Sequence, residues 1–243
     1  MDITSAASIY LHQLGERRPR ISDLNASIFP NGGPEPSSLV EISGNRKSGK
    51  TLLLMQLVAH CLTRCDVVLL NTCNKIDSQL FGKLLKDAIK ASNPNSTIAE
   101  LEKKFEGCME SLEIVNCFSS AQLEMALRAL DHYMLLENER ISLIAVDSLC
   151  EFYWLDLSPE ERQRKYTYYM NSLNNLRKIC KKFYVSCMYT IDSSFNRNAY
   201  ESSRSIAVDY KLHLAHFTTG VRTLNNKNIL ISDKGVEADE ENK

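Results

Sequence analysis

An eight-residue segment of the chain combines residue types that can cradle phosphate groups. It reads Gly44-Asn45-Arg46-Lys47-Ser48-Gly49-Lys50-Thr51 and fits the P-loop pattern G-x-x-x-x-G-K-S/T. Gly44 and Gly49 allow backbone N–H groups to turn toward phosphate oxygens, and the N-terminus of a following helix adds positive potential. Lys50 would contact the β- and γ-phosphates, and Thr51 would bind Mg²⁺. The segment therefore predicts that these eight residues bind ATP and Mg²⁺, the structural alternative being a glycine-rich turn before a helix.

A second candidate for metal binding follows an apolar run later in the chain. The segment 141–146 reads as a buried strand, and Asp147 comes directly after it. Because the carboxyl ends of parallel strands face the phosphate site in folds of this kind, a carboxylate there can help to hold Mg²⁺. Apolar strands often end in aspartate, so the prediction depends on the pairing with the P-loop. Together, the two segments predict Thr51 and Asp147 as the metal residues.

The hydrophobic pattern supplies alternating strands and helices that can position these residues. Apolar runs predict strands at 39–42, 67–70, 112–118, 141–146 and 183–190. Periodic apolar residues predict helices at 1–20, 49–63, 76–91, 96–110, 119–137 and 158–182. After a long polar loop at 192–206, the pattern switches to strands at 207–217, 220–223 and 228–232. We therefore predict an α/β fold with a mostly parallel twisted sheet flanked by helices and antiparallel strands at the C-terminal end.

Composition limits the classes of protein that the chain can belong to. Of 243 residues, 44% are hydrophobic and 24% are charged, values typical of a globular protein rather than a disordered or collagenous one. The net charge of −1 argues against a polycation that binds DNA strongly on its own. No membrane span or secretory signal is predicted. The eight cysteines form no C-x-x-C pair and are predicted to be reduced, buried thiols of a cytosolic or nuclear protein.

The segment after the predicted metal carboxylate resembles a known family. It reads Asp147-Ser148-Leu149-Cys150-Glu151-Phe152-Tyr153-Trp154-Leu155-Asp156. This stretch is similar to the D-S-x-x-x-L/F-Y-x-x-D stretch of eukaryotic RecA-like recombinases, and Arg162-Gln163 matches the pair that opens their next helix. The resemblance covers most of residues 5–237 and points to the recombinase paralogues. The aromatic run 152–154 is interpreted as core or interface packing.

The resemblance implies a particular domain organisation. A RecA-like P-loop ATPase core is expected over residues 38–237, preceded by an N-terminal helix and linker at 1–37 and followed by an acidic tail at 238–243. The length ahead of the first core strand leaves no room for the additional N-terminal helical domain of other eukaryotic family members.

Several positions depart from the pattern of active recombinases. Where the family has a glutamate that positions the attacking water, this chain has Cys73, and a thiol is a poor general base for water. Where the family has a nucleotide-sensing glutamine, this chain reads Met188-Tyr189-Thr190. The first DNA-binding loop, after Asp156, is short and acidic. The resemblance thus implies that nucleotide binding is retained, that hydrolysis is weak or lost, and that no residue can be assigned as catalytic.

The function implied by the resemblance is that of an ATP-binding recombinase paralogue in homologous-recombination repair of DNA double-strand breaks. Such a protein would dock through its ATPase core on other recombinase paralogues and reach single-stranded or branched DNA through that complex. It would be found in the nucleus, with a cytoplasmic pool, and could also serve meiosis. Two alternatives stay open at this point: an active DNA-dependent ATPase or strand-exchange recombinase, and a P-loop phosphotransferase with an arginine-bearing lid.

Two groups of basic residues are candidates for contact with DNA or a partner. Arg17, Arg18 and Arg20 lie together near the N-terminus and are interpreted as a candidate contact of this kind. The long helix predicted at 158–182 carries the other group, which is interpreted as a solvated face. Its members are Arg162, Arg164, Lys165, Arg177, Lys178, Lys181 and Lys182.

Overall fold

The computed structural model describes residues 3–22, 24, 28–157, 164–195 and 208–239. Within these residues, nine strands form one sheet. They are β1 (Leu39–Gly44), β2 (Asp66–Asn71), β3 (Leu112–Asn116), β4 (Ile141–Asp147), β5 (Ser186–Asp192), β6 (Tyr210–His216), β7 (Arg222–Leu224), β8 (Lys227–Ser232) and β9 (Gly235–Ala238). The helices are α1 (Ile3–Arg17), α2 (Lys50–Leu62), α3 (Ser78–Ser92), α4 (Ile98–Glu110), α5 (Ser120–Ala129), α6 (Leu135–Glu137), α7 (Tyr153–Asp156) and α8 (Lys165–Phe183), with a π-helical turn joining α5 to α6.

The strand order confirms the predicted fold class. The sheet runs β3-β2-β4-β5-β1-β6-β7-β8-β9. The first six strands in this order pair in parallel, and the pairs from β6 to β9 are antiparallel. One apolar core lies between the sheet and the pair α2 and α3, and a second lies between the sheet and the pair α5 and α8. The strands β1 and β4 are buried along their whole length because helices cover both faces, which is why they appear in the sequence as continuous apolar runs.

Local capping interactions set where the two helices after β2 begin. The side chain of Asp77 accepts hydrogen bonds from the backbone N–H groups of Gln79 and Leu80, so α3 starts at Ser78. Thr97 and Glu100 form a reciprocal capping box at the start of α4, an arrangement that satisfies two backbone donors at once. These caps explain why both helices begin two residues later than the apolar pattern predicts.

Parts of the predicted architecture fall outside the described residues, and two short elements were not predicted. The start of the helix predicted at 158–182 and most of the polar loop at 192–206 lie outside the described ranges. The helix α7 and the strand β9 were not predicted from the sequence, because elements of four residues have too little periodicity to detect. None of the helices in the described part of the chain combines the length and apolar character needed for a transmembrane span.

The interpretation of Arg18 as a contact for DNA or a partner is wrong. Its side chain is only 5% exposed, and its guanidinium donates hydrogen bonds to the backbone carbonyls of Leu135, Asn138, Ile141 and Phe183. A guanidinium enclosed in this way cannot reach an external ligand. The neighbouring Arg17 and Arg20 are exposed.

The basic residues of α8 largely form the solvated face that was predicted. Lys178, Lys181 and Lys182 are exposed, the last pairing with Asp131 at 2.8 Å. Arg177 differs, because its side chain is only 14% exposed and pairs with Asp209 at 2.7 Å. All eight cysteines are free thiols, and six of them are buried as predicted.

Candidate functional site

The predicted P-loop connects the end of β1 to the start of α2. At Gly44, a Cβ atom would lie 2.1 Å from the carbonyl oxygen of Leu214, so the close approach of β6 requires glycine there. Gly49 has a φ of 100°, in the left-handed region that favours glycine, and is the N-cap of α2. As a glycine it has no side chain to cap this helix, which leaves the first N–H groups of α2 available to an anion.

The side chain of Asn45 fastens the loop to the neighbouring strand. Its amide donates to the carbonyl of His216 at 2.9 Å and accepts from the His216 backbone N–H at 3.1 Å. This pair of hydrogen bonds prolongs the contact between β1 and β6 beyond the strand ends. Asn45 therefore has a positioning role that the P-loop pattern alone does not reveal.

The loop faces a cleft with a volume of about 700 Å³, within the range of small-molecule sites. From the P-loop, Arg46 to Thr51 line the cleft. The other lining residues come from α2, from the segment after β2, from the segment around the end of β4 and from β5. They are Leu52, Met55, Cys73, Lys75, Asp77, Leu80, Asp147, Ser148, Glu151, Thr190 and Asp192.

Asp147 lines the cleft and is only 1% exposed. One of its oxygens accepts hydrogen bonds from the hydroxyls of Thr51, at 3.2 Å, and Thr190. The structure thus brings together the two residues predicted to hold Mg²⁺. Adjacent ligands of an octahedral Mg²⁺ lie about 3 Å apart, since each metal–oxygen distance is about 2.1 Å, so the spacing of these two groups fits this ion.

The protein supplies only part of a cation's coordination shell. Among the described residues, no group of three or more His, Cys, Asp or Glu side chains could hold a metal by itself. Mg²⁺ typically takes one or two protein oxygens together with phosphate oxygens and water. The pair Thr51 and Asp147 therefore suits a cation that arrives with a nucleotide.

The ammonium of Lys50 lies against the P-loop. It donates hydrogen bonds to the carbonyl oxygens of Gly44 at 2.9 Å and Asn45 at 2.7 Å. Burial lowers the pKa of Lys50, while the charges of Asp192 and Asp147 act in the opposite direction. Burial also tends to raise the pKa of Asp192, but hydrogen bonds from Ser194 and the charge of Lys50 outweigh it, so the net shift is downward. Lys50 and Asp192 therefore favour each other's charged forms.

Cys73 lies in the cleft beside Asp147. Its thiol donates to the carboxylate at 3.1 Å, on the oxygen that Thr51 does not contact. Burial, followed by the negative charge of Asp147, raises the pKa of Cys73 to about 12. The group is a neutral thiol at physiological pH, so it donates a hydrogen bond where a glutamate would accept one.

Two residues of β5, Thr190 and Asp192, line the cleft. Tyr189, one of the three residues found where the family has a nucleotide-sensing glutamine, is fully buried in the second core. Its hydroxyl shares hydrogen bonds with Tyr169 at 3.0 Å and Glu41 at 3.4 Å, and burial raises its pKa well above the ordinary value. Since side chains alternate along a strand, a core-facing tyrosine places the next residue on the opposite face, but only the strand order brings that face to the cleft.

The aromatic run after β4 divides between packing and exposure. Phe152 and Tyr153 are buried in the second core, as predicted. Trp154 is 64% exposed, and the ammonium of Lys165 lies 4.7 Å from its ring centroid. The tryptophan is therefore a surface residue.

The P-loop strand β1 and the carboxylate strand β4 are not neighbours, because β5 lies between them. Parallel strands in this order, continued by antiparallel strands beyond β6, make the chain a P-loop protein with a RecA-like core. No protein-family model matches the chain.

A comparison of sequences gives independent support for this class of protein. The chain is similar to the DNA repair protein XRCC2 of the mouse, Mus musculus, with 26% identity over 149 residues. The match covers 58% of this chain and 50% of the mouse protein, so this chain spans about half the length of that relative. The similarity confirms the resemblance to RecA-like recombinase paralogues.

Proposed function

We propose that this chain binds ATP with Mg²⁺ in the P-loop cleft and acts in homologous-recombination repair as a subunit of a recombinase-paralogue complex. The observation that carries the nucleotide-binding part is the buried Asp147 carboxylate, which meets the Thr51 hydroxyl at 3.2 Å directly beside the P-loop. The similarity to a DNA repair protein supports a role in DNA repair.

Each part of the site has a defined task in holding the nucleotide. The backbone N–H groups at the start of α2 and the Lys50 ammonium bind phosphate oxygens. Thr51 and Asp147 hold Mg²⁺, which neutralises phosphate charge when it is bound. The hydroxyl of Ser48 is buried, with no hydrogen-bond partner among the described residues, and a loop closed around phosphate would give it one. The residues present therefore fit Mg²⁺·ATP.

Hydrolysis is expected to be weak because, among the described residues, no carboxylate that could act as a base for water is in hydrogen-bond contact with Asp147. The Cys73 thiol is protonated and donates a hydrogen bond to the carboxylate. The Thr190 hydroxyl also donates to the same carboxylate. Neither group can accept a proton from water or orient it as a carboxylate does.

Replacing Cys73 with glutamate is expected to raise ATP turnover by on the order of 10-fold or more, since a positioned general base contributes about 10²–10⁴-fold. Repulsion from Asp147, whose carboxylate lies 3.1 Å from the thiol, keeps the expected gain below that range. Phosphate release is measured with Mg²⁺·ATP, with and without single-stranded DNA.

The matched control is Cys108→Glu, because Cys108 is a partly exposed cysteine of α4 that does not line the cleft. This variant should leave turnover at the wild-type level. Wild-type turnover as fast as that of an active recombinase, and dependent on Lys50, would instead support the alternative of a DNA-dependent ATPase or strand-exchange enzyme.

The partners in this proposal are other recombinase paralogues, docked through the ATPase core. Single-stranded or branched DNA is reached through the complex, a route consistent with the net charge of −1. The proposed location is the nucleus, with a cytoplasmic pool. The test is co-purification of the full chain from cells, with mass identification of the bound subunits and nucleotide. Recovery of the chain without any recombinase paralogue would contradict complex membership.

A further inference from the structure

The cleft contains one lysine from outside the P-loop among its lining residues, Lys75. It follows β2 by four residues and lines the same cleft as Lys50. Its side chain is 68% exposed, and its ammonium lies 4.0 Å from the nearer carboxylate oxygen of Glu151. A contact of that length between exposed groups is a loose ion pair, so the ammonium can take a stronger anionic partner.

The turn that presents Lys75 is held in place by hydrogen bonds. The side chain of Asn71 accepts from the backbone N–H of Asn74 at 3.0 Å and donates to the Asn74 side chain at 3.2 Å. Asn71 also donates to Asn116 at 2.7 Å, which ties the turn to β3. The backbone N–H of Cys73 donates to the carbonyl of Asp147 at 3.0 Å. Lys75 therefore follows a turn that hydrogen bonds hold to β3 and β4.

The charges around Lys75 favour an anion between it and the P-loop. Lys50 and Lys75 both line the cleft, so their positive charges repel each other across it. Asp77, the nearest acidic residue along the chain, uses its carboxylate to cap α3. An anion bound between Lys50 and Lys75 would relieve that repulsion.

The position of Lys75 indicates which phosphate it meets. If Thr51 and Asp147 hold Mg²⁺ as proposed, the terminal phosphates of the nucleotide would lie beside these two residues. Cys73 contacts Asp147, and Lys75 lies two residues further along the chain. We infer that Lys75 binds the γ-phosphate and makes the cleft selective for nucleoside triphosphate over diphosphate.

This inference rests on the proposed nucleotide binding and adds to it the residue that would select ATP over ADP. Without a base beside Asp147, a second cation on the γ-phosphate stabilises bound ATP itself. Interactions that are equally strong in the ground state and the transition state raise affinity without raising turnover. The cleft would then distinguish ATP from ADP while hydrolysing little.

The test measures the dissociation constants of Mg²⁺·ATP and Mg²⁺·ADP separately, by titration calorimetry of the full chain. Lys75→Met is expected to weaken ATP binding about 10-fold and ADP binding less than about 2-fold, because charge-assisted hydrogen bonds to phosphate are lost only with ATP. Lys75→Arg should keep the wild-type preference for ATP. Lys83→Met is the matched control, since Lys83 lies on α3, is 63% exposed and does not line the cleft.

Glu151→Gln is a second test in the same affinity measurement, because it removes the negative charge that competes for Lys75. It should leave ATP affinity unchanged or raise it by up to about 3-fold, in keeping with a weak exposed pair. An equal loss of ATP and ADP affinity in Lys75→Met, or no loss of either, would overturn the role of Lys75 while leaving nucleotide binding intact. Failure of the wild-type chain to bind either nucleotide would overturn nucleotide binding and this inference together.

Discussion

Lys50→Ala is expected to weaken the binding of Mg²⁺·ATP by about 100-fold, because contacts between an ammonium and phosphate contribute on the order of 3 kcal/mol. The structure shows the ammonium already at the loop, held by the carbonyls of Gly44 and Asn45. An alanine leaves the fold of the loop to its glycines and to Asn45, whose contacts with His216 do not involve Lys50. Titration calorimetry with Mg²⁺·ATP measures the change in affinity.

Thermal unfolding gives an independent check on the same variant. A ligand at 100 times its dissociation constant stabilises the folded state by about 2.7 kcal/mol, so saturating Mg²⁺·ATP should raise the melting temperature of the wild-type chain. The rise should disappear in Lys50→Ala and persist in Lys83→Ala, which removes an exposed positive charge outside the cleft. If Lys50→Ala still responds to ATP as the wild type does, the P-loop is not the nucleotide site.

The same variant separates nucleotide binding from assembly. If the nucleotide only supports the fold of the cleft, Lys50→Ala should lose ATP and still retain part of its binding to a recombinase paralogue. If docking requires the nucleotide, the complex should be lost as well. Pull-down of the partner with the wild-type and variant chains at equal concentration distinguishes the two.

The sequence was sufficient to predict the parallel strands of the sheet and the central residues of the candidate site. Parallel strands covered on both faces need apolar residues at every position, so β2 and β4 were visible as uninterrupted runs. The P-loop was visible because its glycines and Lys50 have fixed spacing, and Asp147 was visible only as the end of a run. The order of β4, β5 and β1 in space then brought Thr51 and Asp147 together.

Residues that reach the cleft from other strands were harder to foresee. Thr190 enters because β5 is placed between β1 and β4, and no local pattern encodes that neighbourhood. Lys75 enters because a turn held by Asn71 and Asn74 follows β2. Such residues become part of a site through strand order and turn geometry, which a linear pattern does not contain.

Arg18 shows the opposite error, because its place in the sequence suggested an exposed side chain and the side chain is buried. Three arginines within four positions resemble a surface cluster, and only burial distinguishes one of them. Its guanidinium donates at 2.9 Å to the carbonyl of Phe183, the last residue of α8, and at 3.0 Å to the carbonyl of Asn138 after α6. It also bonds the carbonyls of Leu135 and Ile141. One side chain thus closes the ends of two helices and the start of β4.

Arg18→Met is expected to lower the free energy of unfolding by about 3–5 kcal/mol, because it leaves several buried carbonyl groups without a donor. Burial lowers the pKa of Arg18 to about 10, so the group is still charged at neutral pH. Arg18→Lys keeps the charge with fewer donors in a different geometry, and its expected loss is about 2 kcal/mol. Urea unfolding followed by circular dichroism measures both changes.

The adjacent arginine tests whether charge or hydrogen bonding causes the loss. Arg17 is 65% exposed and pairs loosely with Glu139 at 3.6 Å, so Arg17→Met should change the free energy of unfolding by less than about 0.5 kcal/mol. Both variants remove one positive charge from the same end of α1. Equal losses would show that Arg18 acts only through its charge and would contradict its role in joining the segment ends. Because the total stability of a domain is about 5–15 kcal/mol, a loss confined to Arg18 would make this one residue a large part of what holds α6, α8 and β4 together.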